Sequence, residues 1–140
     1  MANAASIARD YLETWNRRDW ARFREFFHPE YSYTGGDGQP QKGPEAGMAV
    51  AQMFATAFPD GRIDIQRIHT VSDDAAVTEF IGRGTHKGEL MGIAPTGRQM
   101  TLPVCMAIEV RDGKIYAERE YMDMLHMMQQ LGVAPAAATA

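Results

Sequence analysis

Apolar residues recur at three- and four-residue intervals in three stretches early in the chain, a pattern that predicts amphipathic helices. The first stretch covers residues 4–17. The second follows Asp19, which can cap a helix N-terminus, and ends at His28-Pro29. The third begins at Pro44, which suits the first position of a helix, and closes at Pro59-Asp60-Gly61. The three apolar stripes consist of Ile7, Tyr11, Leu12 and Trp15; Trp20, Phe23 and Phe27; and Met48, Ala51, Phe54 and Phe58.

After Gly61 the apolar residues follow the period of two that is typical of β-strands. Ile63 and Ile65 alternate with polar neighbours, but Ile68 falls out of step, which predicts a β-bulge near Gln66-Arg67. The even-numbered residues from 100 to 110 are all apolar and should share one face. Further long strands are predicted over residues 76–86, 99–110 and 114–122, and a short one at Tyr31-Ser32-Tyr33.

The end of the chain returns to helical spacing. Asp123 can cap a short last helix that stops at Gly132, and residues 133–140 are rich in Ala and Pro and are expected to fray. Helices followed by long antiparallel strands predict an α+β fold, a single domain over residues 1–132. Three N-terminal helices should pack on the concave side of a strongly curved, mainly antiparallel sheet. Because three helices cannot fill such a sheet, we expect a cavity between them.

The composition of the chain argues against some classes of binding partner. The 140 residues are 45% apolar and 23% charged, the balance of a soluble globular protein, with a formal charge of −4. An acidic chain argues against nucleic acid and anionic membranes as partners, since both attract basic surfaces. The sequence shows no signal peptide and no apolar run of membrane-spanning length, and its single cysteine, Cys105, cannot form an internal disulfide. We therefore expect a cytoplasmic protein.

The turn between the last two long strands decides which of their side chains face the interior. A two-residue turn at Asp112-Gly113 pairs Arg111 with Lys114. A three-residue loop with Gly113 in the left-handed conformation instead pairs Val110 with Lys114. Since Arg111 opposite Lys114 is a like-charge pair, the three-residue loop is modestly favoured.

The two registers expose different chemistry to the interior. In the three-residue register Met106 opposes Glu118 and Val104 opposes Glu120, so that both carboxylates share an apolar face. In the two-residue register both glutamates turn away, and the interior meets Ile115, Ala117 and Arg119.

A carboxyl group on an apolar face is costly unless it has a partner or a task. Burial raises the pKa of a glutamate, and a second carboxylate two residues away raises that pKa further. This is how a carboxylate becomes an acid or base that works near neutral pH. The alternative is that Glu118 and Glu120 face solvent while Ile115 and Tyr121 pack inside, and the spacing alone does not decide between the two.

Several short motifs are spaced as in a known family. Residues 84–97 contain Gly-Thr-His-Lys-Gly and then Gly-Ile-Ala-Pro-Thr-Gly, and Asp112-Gly113-Lys114-Ile115 follows. Further matches are Asn16, His28-Pro29-Glu30-Tyr31, Gly43-Pro44, Asp123 and Gln130-Leu131-Gly132. Over residues 5–132 the sequence resembles the SnoaL-like polyketide cyclases of the nuclear-transport-factor-2-like (NTF2-like) superfamily. The resemblance implies a cone-shaped α+β domain around one deep apolar pocket.

The resemblance also implies roles for single residues. Cyclases of this family close a ring by intramolecular aldol condensation without metal or cofactor, using an aspartate on the last long strand as acid and base. Glu120 holds the place of that aspartate, and Glu118 holds the place of a histidine. A second polar pair falls on Val104 and Met106, so this pocket should be more apolar than that of a cyclase. We expect Glu120 as acid and base, Glu118 tuning it electrostatically, and Tyr33 donating to the oxyanion.

The predicted function is acid/base chemistry on an apolar, enolisable ketone: aldol-type cyclisation, isomerisation or dehydration. A non-catalytic ligand-binding domain is the alternative, and the loss of the second polar pair favours it. No cofactor is expected, and no metal, since no His/Asp/Glu group has metal-ligand spacing. His86 lies near a strand end, where a structural hydrogen bond is expected. The residues expected around the ligand are Trp15, Phe54, Phe58, Val104, Met106, Met122 and His86.

The resemblance further implies a homodimer formed through the outer face of the sheet. Pro103 lacks an amide donor and should sit at an edge or bulge of the sheet. The residues predicted on this outer face are Thr101, Pro103, Cys105, Ala107, Arg119 and Tyr121.

Overall fold

The computed structural model describes residues 3–133, so most of the predicted C-terminal tail lies outside the described residues. Among residues 3–133, no helix is both long enough and apolar enough to cross a membrane. The described residues form helices α1 (Ala4–Asn16), α2 (Trp20–Arg24), α3 (Pro44–Ala57) and α4 (Met124–Gln130), and strands β1 (Phe27–Thr34), β2 (Pro40–Lys42), β3 (Arg62–Ser72), β4 (Ala75–Thr85), β5 (Gln99–Arg111) and β6 (Lys114–Met122).

All four helices begin where the sequence predicts, with α1 starting at Ala4. Asp19 accepts a hydrogen bond from the Arg22 amide at the start of α2, and Asp123 accepts one from the His126 amide at the start of α4. Pro44 occupies the first turn of α3. The first N–H groups of a helix have no partner within it, so side-chain oxygens at these positions stabilise the start.

The structure does not contain the predicted block of three consecutive N-terminal helices. Helix α2 ends at Arg24, and Phe27, predicted on its apolar stripe, is the first residue of β1. Strands β1 and β2 therefore stand between α2 and α3. The reason is non-local: β1 runs parallel to β6, with Phe27 opposite Ile115, and pairing with so distant a strand leaves no trace in local spacing.

The six strands form one mixed sheet in the order β2-β1-β6-β5-β4-β3, antiparallel except for the β1–β6 pair. The predicted bulge in β3 is confirmed, since the register shifts between Ile65 and Arg67. The even-numbered residues of β5 from 100 to 110 are all buried, as predicted. The fold is therefore α+β, with α1 and α3 packed against the sheet.

Pro103 sits where β5 extends past the end of β6. The last β5–β6 pair is Val104 with Met122, whereas Pro103 pairs only with Ile81 of β4. Two residues earlier on the same edge, the Thr101 amide donates to the Gln130 side chain instead of to a strand. The missing amide of Pro103 therefore leaves no ladder bond unmade, which confirms the prediction of a local sheet edge.

The turn between β5 and β6 is the two-residue Asp112-Gly113 turn, and the predicted three-residue loop is wrong. Both turn residues have positive φ, 54° and 73°, and Arg111 lies opposite Lys114. The two charges are drawn apart: the Arg111 guanidinium lies 3.7 Å from the centroid of the Tyr116 ring, and Lys114 Nζ donates to the Glu25 carbonyl at 2.5 Å. These contacts offset the repulsion on which the prediction rested.

A bulge follows directly after this turn. Val110 pairs with Ile115, but Glu109 pairs with Ala117, which leaves Tyr116 as an extra residue on β6. An extra residue reverses the face on which all later side chains of the strand lie.

Beyond the bulge, Glu118 opposes Ile108 and Glu120 opposes Met106. The predicted partners were Met106 for Glu118 and Val104 for Glu120. Each glutamate therefore lies opposite a β5 residue that is two positions closer to the turn than predicted. The error in the turn and the unforeseen bulge thus compensate for each other, and both carboxylates share the apolar face of β5.

Candidate active site

A cavity opens between α1, α3 and the inner face of the sheet. The space within it that the centre of a water molecule can occupy is about 100 Å³. The residues that line it are mostly apolar and aromatic, and they include Glu118 and Glu120. This is the composition typical of a site for an apolar small molecule that is oriented by a few polar groups.

Glu118 is the more enclosed of the two acids, with 4% of its surface exposed. The hydroxyl groups of Tyr11 and Tyr31 both donate to its Oε1 atom, each at 2.7 Å. Burial raises the pKa of Glu118, and the hydrogen bonds from Tyr31 and Tyr11 lower that pKa in part, because they stabilise the ionised form.

Glu120 lies on the same face of β6, one pair further along. Burial, and then the negative charge of Glu118, raise the pKa of Glu120 to about 8, while hydrogen bonding from the Tyr33 hydroxyl opposes the rise. The two neighbouring carboxylates therefore have different environments. Glu118 is held by two hydroxyl groups, whereas Glu120 retains its proton to a pH at which ordinary glutamates are ionised.

Tyr33 brings a hydroxyl group to the same wall. In the parallel β1–β6 register it lies opposite Glu118, and its side chain is 8% exposed. Its ring lies over Gly35, where an added Cβ would approach the hydroxyl oxygen to 3.0 Å. Burial, followed by the charge of Glu120, raises the pKa of Tyr33, so that its hydroxyl stays protonated and able to donate.

The structure brings most of the predicted ligand-binding residues to one place. Trp15, Phe54, Phe58, Val104 and Met122 all line the cavity together with the two glutamates and Tyr33.

Met106 and His86 are not among the residues that line the cavity. Met106 is fully buried opposite Glu120 on the neighbouring strand β5, so it presents no surface to the cavity. His86 is also fully buried, and its Nδ1 accepts a hydrogen bond from the Thr96 amide at 3.2 Å. This contact ties the loop between β4 and β5 to the end of β4, which is the predicted structural role.

Sequence reasoning missed the two tyrosines that hold Glu118. Tyr11 was placed on the apolar stripe of the first helix, and Tyr31 in a short strand. A signal was present, because a tyrosine at a core position has a hydroxyl that needs a partner, which phenylalanine does not. Within residues 3–133 no group of three or more His, Cys, Asp or Glu side chains could hold a metal ion.

Comparison with known proteins gives a consistent picture. The model of the SnoaL-like polyketide cyclase family matches residues 5–131. The aklanonic acid methyl ester cyclase DnrD of Streptomyces peucetius is 29% identical over 135 residues, covering 94% of this chain and 92% of that protein. A cyclase is an enzyme, in agreement with the interpretation of this chain as a cyclase-like enzyme.

Solved structures agree as well. IdmH of Streptomyces antibioticus, a candidate polyketide cyclase, is 31% identical with a TM-score of 0.77, covering 91% of this chain and 96% of that one. A candidate SnoaL-like cyclase from Jannaschia sp. CCS1 has a TM-score of 0.79 at 20% identity, covering 96% of both chains, and shows the shared NTF2-like fold. The chain belongs to the SnoaL-like polyketide cyclase family.

Proposed function

We propose that this protein closes a ring in an apolar ketone by an intramolecular aldol reaction, with Glu120 as base and then as acid. One observation carries the proposal: the Glu120 carboxyl group lies in the wall of an apolar cavity, next to the charge of Glu118, in a chain whose curated relatives are cyclases. A carboxyl group with a pKa of about 8 is matched to proton transfer near neutral pH.

In the first step the Glu120 carboxylate removes a proton from the carbon next to a ketone. The C–H electron pair moves into the carbon–carbon bond, and the ketone oxygen becomes an enolate. The hydroxyl of Tyr33 donates to this oxygen and stabilises the charge where it develops. The apolar wall excludes water, so the proton stays on the Glu120 carboxyl group.

In the second step the enolate carbon attacks another carbonyl carbon of the same molecule. A carbon–carbon bond forms, the π-electrons of that carbonyl become an alkoxide, and protonated Glu120 returns its proton to it. Glu120 ends as a carboxylate, and the product is an isomer of the substrate. Two functional groups of one molecule are held together in the cavity, which replaces a costly encounter by a preset orientation.

The wall also indicates the charge of the ligand. Arg62 and Arg83 are the cationic residues among those that line the cavity, and both pair with Asp64, at 3.3 Å and 2.7 Å. The interior thus presents two acids, and the cations at its rim are already partnered. An uncharged substrate fits this wall, and the relatives' substrate is named as a methyl ester, an uncharged form of an acid.

The test uses aklanonic acid methyl ester as probe, with the ring-closed isomer followed by chromatography and NMR. We expect turnover by the wild type, a loss of at least about 10²-fold in Glu120→Gln, and no loss in Glu89→Gln, a matched change at an exposed loop position. Full activity in Glu120→Gln would exclude Glu120 as the base.

Exchange of the probe's acidic C–H protons in D₂O separates this function from the alternative of a binding domain. A catalyst accelerates exchange at one position even when ring closure is slow, and Glu120→Gln abolishes the acceleration. The alternative is favoured by Val104, an apolar residue of the wall at a position where the cyclases carry a polar group. Tight binding without any accelerated exchange would establish the alternative.

We also propose a homodimer formed through the outer face of the sheet. Tyr121 is 61% exposed there, next to a shallow groove that includes Pro103 and Cys105. An exposed aromatic ring beside apolar neighbours suits an interface between copies.

A further inference from the structure

Two tyrosines from distant parts of the chain converge on one carboxylate oxygen. Tyr11 comes from α1 and Tyr31 from β1, and both hydroxyl groups reach Oε1 of Glu118 at 2.7 Å. An ionised carboxylate accepts only, and it binds two hydroxyl donors more strongly than a neutral acid does. Glu120 has the hydroxyl of Tyr33 beside it and no comparable pair of donors.

The positions of the two hydroxyl groups are fixed by aromatic packing. The Tyr11 ring stacks on Phe23 with centroids 4.5 Å apart, and the Phe27 ring lies 4.4 Å from that of Tyr31. Gly47 of α3 completes the support, because a Cβ there would lie 2.6 Å from Phe27 and 2.8 Å from Tyr31. The absence of a side chain at Gly47 lets the rings of Phe27 and Tyr31 pack closely against α3, and this packing fixes the position of the Tyr31 hydroxyl.

Among residues 3–133, the groups that shift the pKa values of the two acids come from α1, β1 and β6. The tyrosines are Tyr11 from α1 and Tyr31 and Tyr33 from β1, and the acids themselves lie on β6. The facing strand β5 contributes apolar residues, and the arginines at the rim pair with Asp64. No cation in residues 3–133 therefore stabilises two negative charges inside the cavity, and the pair holds one charge more easily than two.

We infer that Tyr11 and Tyr31 are positioning residues that make Glu118 the ionised member of the pair and leave the transferable proton on Glu120. This assignment deepens the proposed function and rests on it. Both tyrosines line the cavity, and because their hydroxyl groups donate to Glu118, each acts on Glu120 through that carboxylate. Without their hydroxyl groups the single charge would be shared between two similar carboxyl groups, and Glu120 would no longer be the defined acid.

The assignment is tested without substrate, by titrating the carboxyl carbons of ¹³C-labelled glutamate by NMR. In a Glu120→Gln background the remaining perturbed signal belongs to Glu118. Adding Tyr11→Phe or Tyr31→Phe removes one donor with little change in shape, and we expect the pKa of Glu118 to rise each time. In a Glu118→Gln background the pKa of Glu120 should fall below its wild-type value, because the neighbouring charge is gone.

With both acids present, the tyrosine variants should move the two pKa values in opposite directions: that of Glu118 rises and that of Glu120 falls. General loosening of the core would instead let water in and lower both values. Gly47→Ala offers a second route, since its methyl group displaces the Tyr31 ring and should reproduce the effect of Tyr31→Phe. Tyr121→Phe, on the exposed outer face, is the matched control and should change neither value.

An unchanged Glu118 pKa in both tyrosine variants would overturn the assignment. Activity is measured in a separate experiment. In Tyr11→Phe and Tyr31→Phe the rise of kcat/KM with pH should occur at lower pH, because Glu120 ionises without a charged neighbour. If the titrations behave as expected but no ring closure or proton exchange is found, the proposed reaction fails and the electrostatic assignment stands.

Discussion

Glu120 makes the stability of the fold depend on pH, and Glu120→Gln should remove that dependence. Burial and the charge of Glu118 raise the pKa of Glu120 from 4.5 to about 8. A carboxyl group whose pKa is raised on folding contributes stability that is complete below its unfolded pKa and is lost as the pH rises through its folded pKa. The window of loss therefore runs from about pH 4.5 to about pH 8.

The size of the loss follows from the interval between the two pKa values. The difference between 4.5 and about 8 corresponds to about 5 kcal/mol, at about 1.4 kcal/mol for each pKa unit. Because Glu118 and Glu120 titrate as a pair, and the mouth of the cavity is open to solvent when no substrate is bound, we expect about 3 kcal/mol. At the urea dependence usual for small domains, this is a shift of about 1–2 M in the unfolding midpoint.

Urea unfolding at about pH 5 and about pH 9 measures this loss in the wild type, Glu120→Gln and Glu89→Gln. We expect the wild type and Glu89→Gln to lose about 3 kcal/mol more than Glu120→Gln between the two pH values. The tyrosines do not interfere, since burial raises the pKa of each: Tyr11, Tyr31 and Tyr33. Equal losses in all three proteins would refute the idea that Glu120 ionises beside a buried charge.

The remaining predictions concern catalysis, assembly and packing. Glu120→Asp withdraws the carboxylate by one methylene and should lower kcat about 10²-fold at similar KM. For the wild type, kcat/KM should rise with pH towards a plateau above about pH 8, because Glu120 must be ionised to act as base. Light scattering should give the mass of a dimer for the wild type and of a monomer for Tyr121→Glu, which places a charge in the proposed interface. Gly88→Ala should cost at least about 2 kcal/mol in thermal unfolding, because its Cβ would lie 2.1 Å from the Thr56 carbonyl oxygen, whereas Gly36→Ala, with its nearest neighbour at 3.4 Å, should be close to neutral.

Local patterns in the sequence predicted most of the elements correctly. The caps at Asp19 and Asp123, the start of α3 at Pro44 and the bulge in β3 all depend on neighbours within a few residues, and spacing reports such neighbours directly. The parallel pairing of β1 with β6 depends on residues far apart in the chain, such as Phe27 and its partner near the last turn. Local spacing does not report such pairs, so β1 was predicted too short.

In the candidate site, too, local features could be predicted from the sequence and contacts between distant elements could not. Two glutamates on an apolar face could be inferred from the alternation of β5 and β6, and the structure places both in the cavity wall. The donors Tyr11 and Tyr31 come from other elements, so their convergence on Glu118 depends on the packing of α1 and β1 against β6. Only the presence of tyrosine at core positions hinted at a buried acceptor.

The extra residue at Tyr116 is what turns the acid pair inward. Ile115 and Glu118 are both buried on the inner face although they are three residues apart, which a regular strand with its period of two does not allow. The Tyr116 ring is held by the Arg111 guanidinium at 3.7 Å and by the edge of His28 at 5.4 Å. The contact that separates the like charges of the turn thus also holds the bulge in place. A local arrangement at the exposed end of the hairpin therefore decides whether the carboxylates further along the strand face the cavity or the solvent.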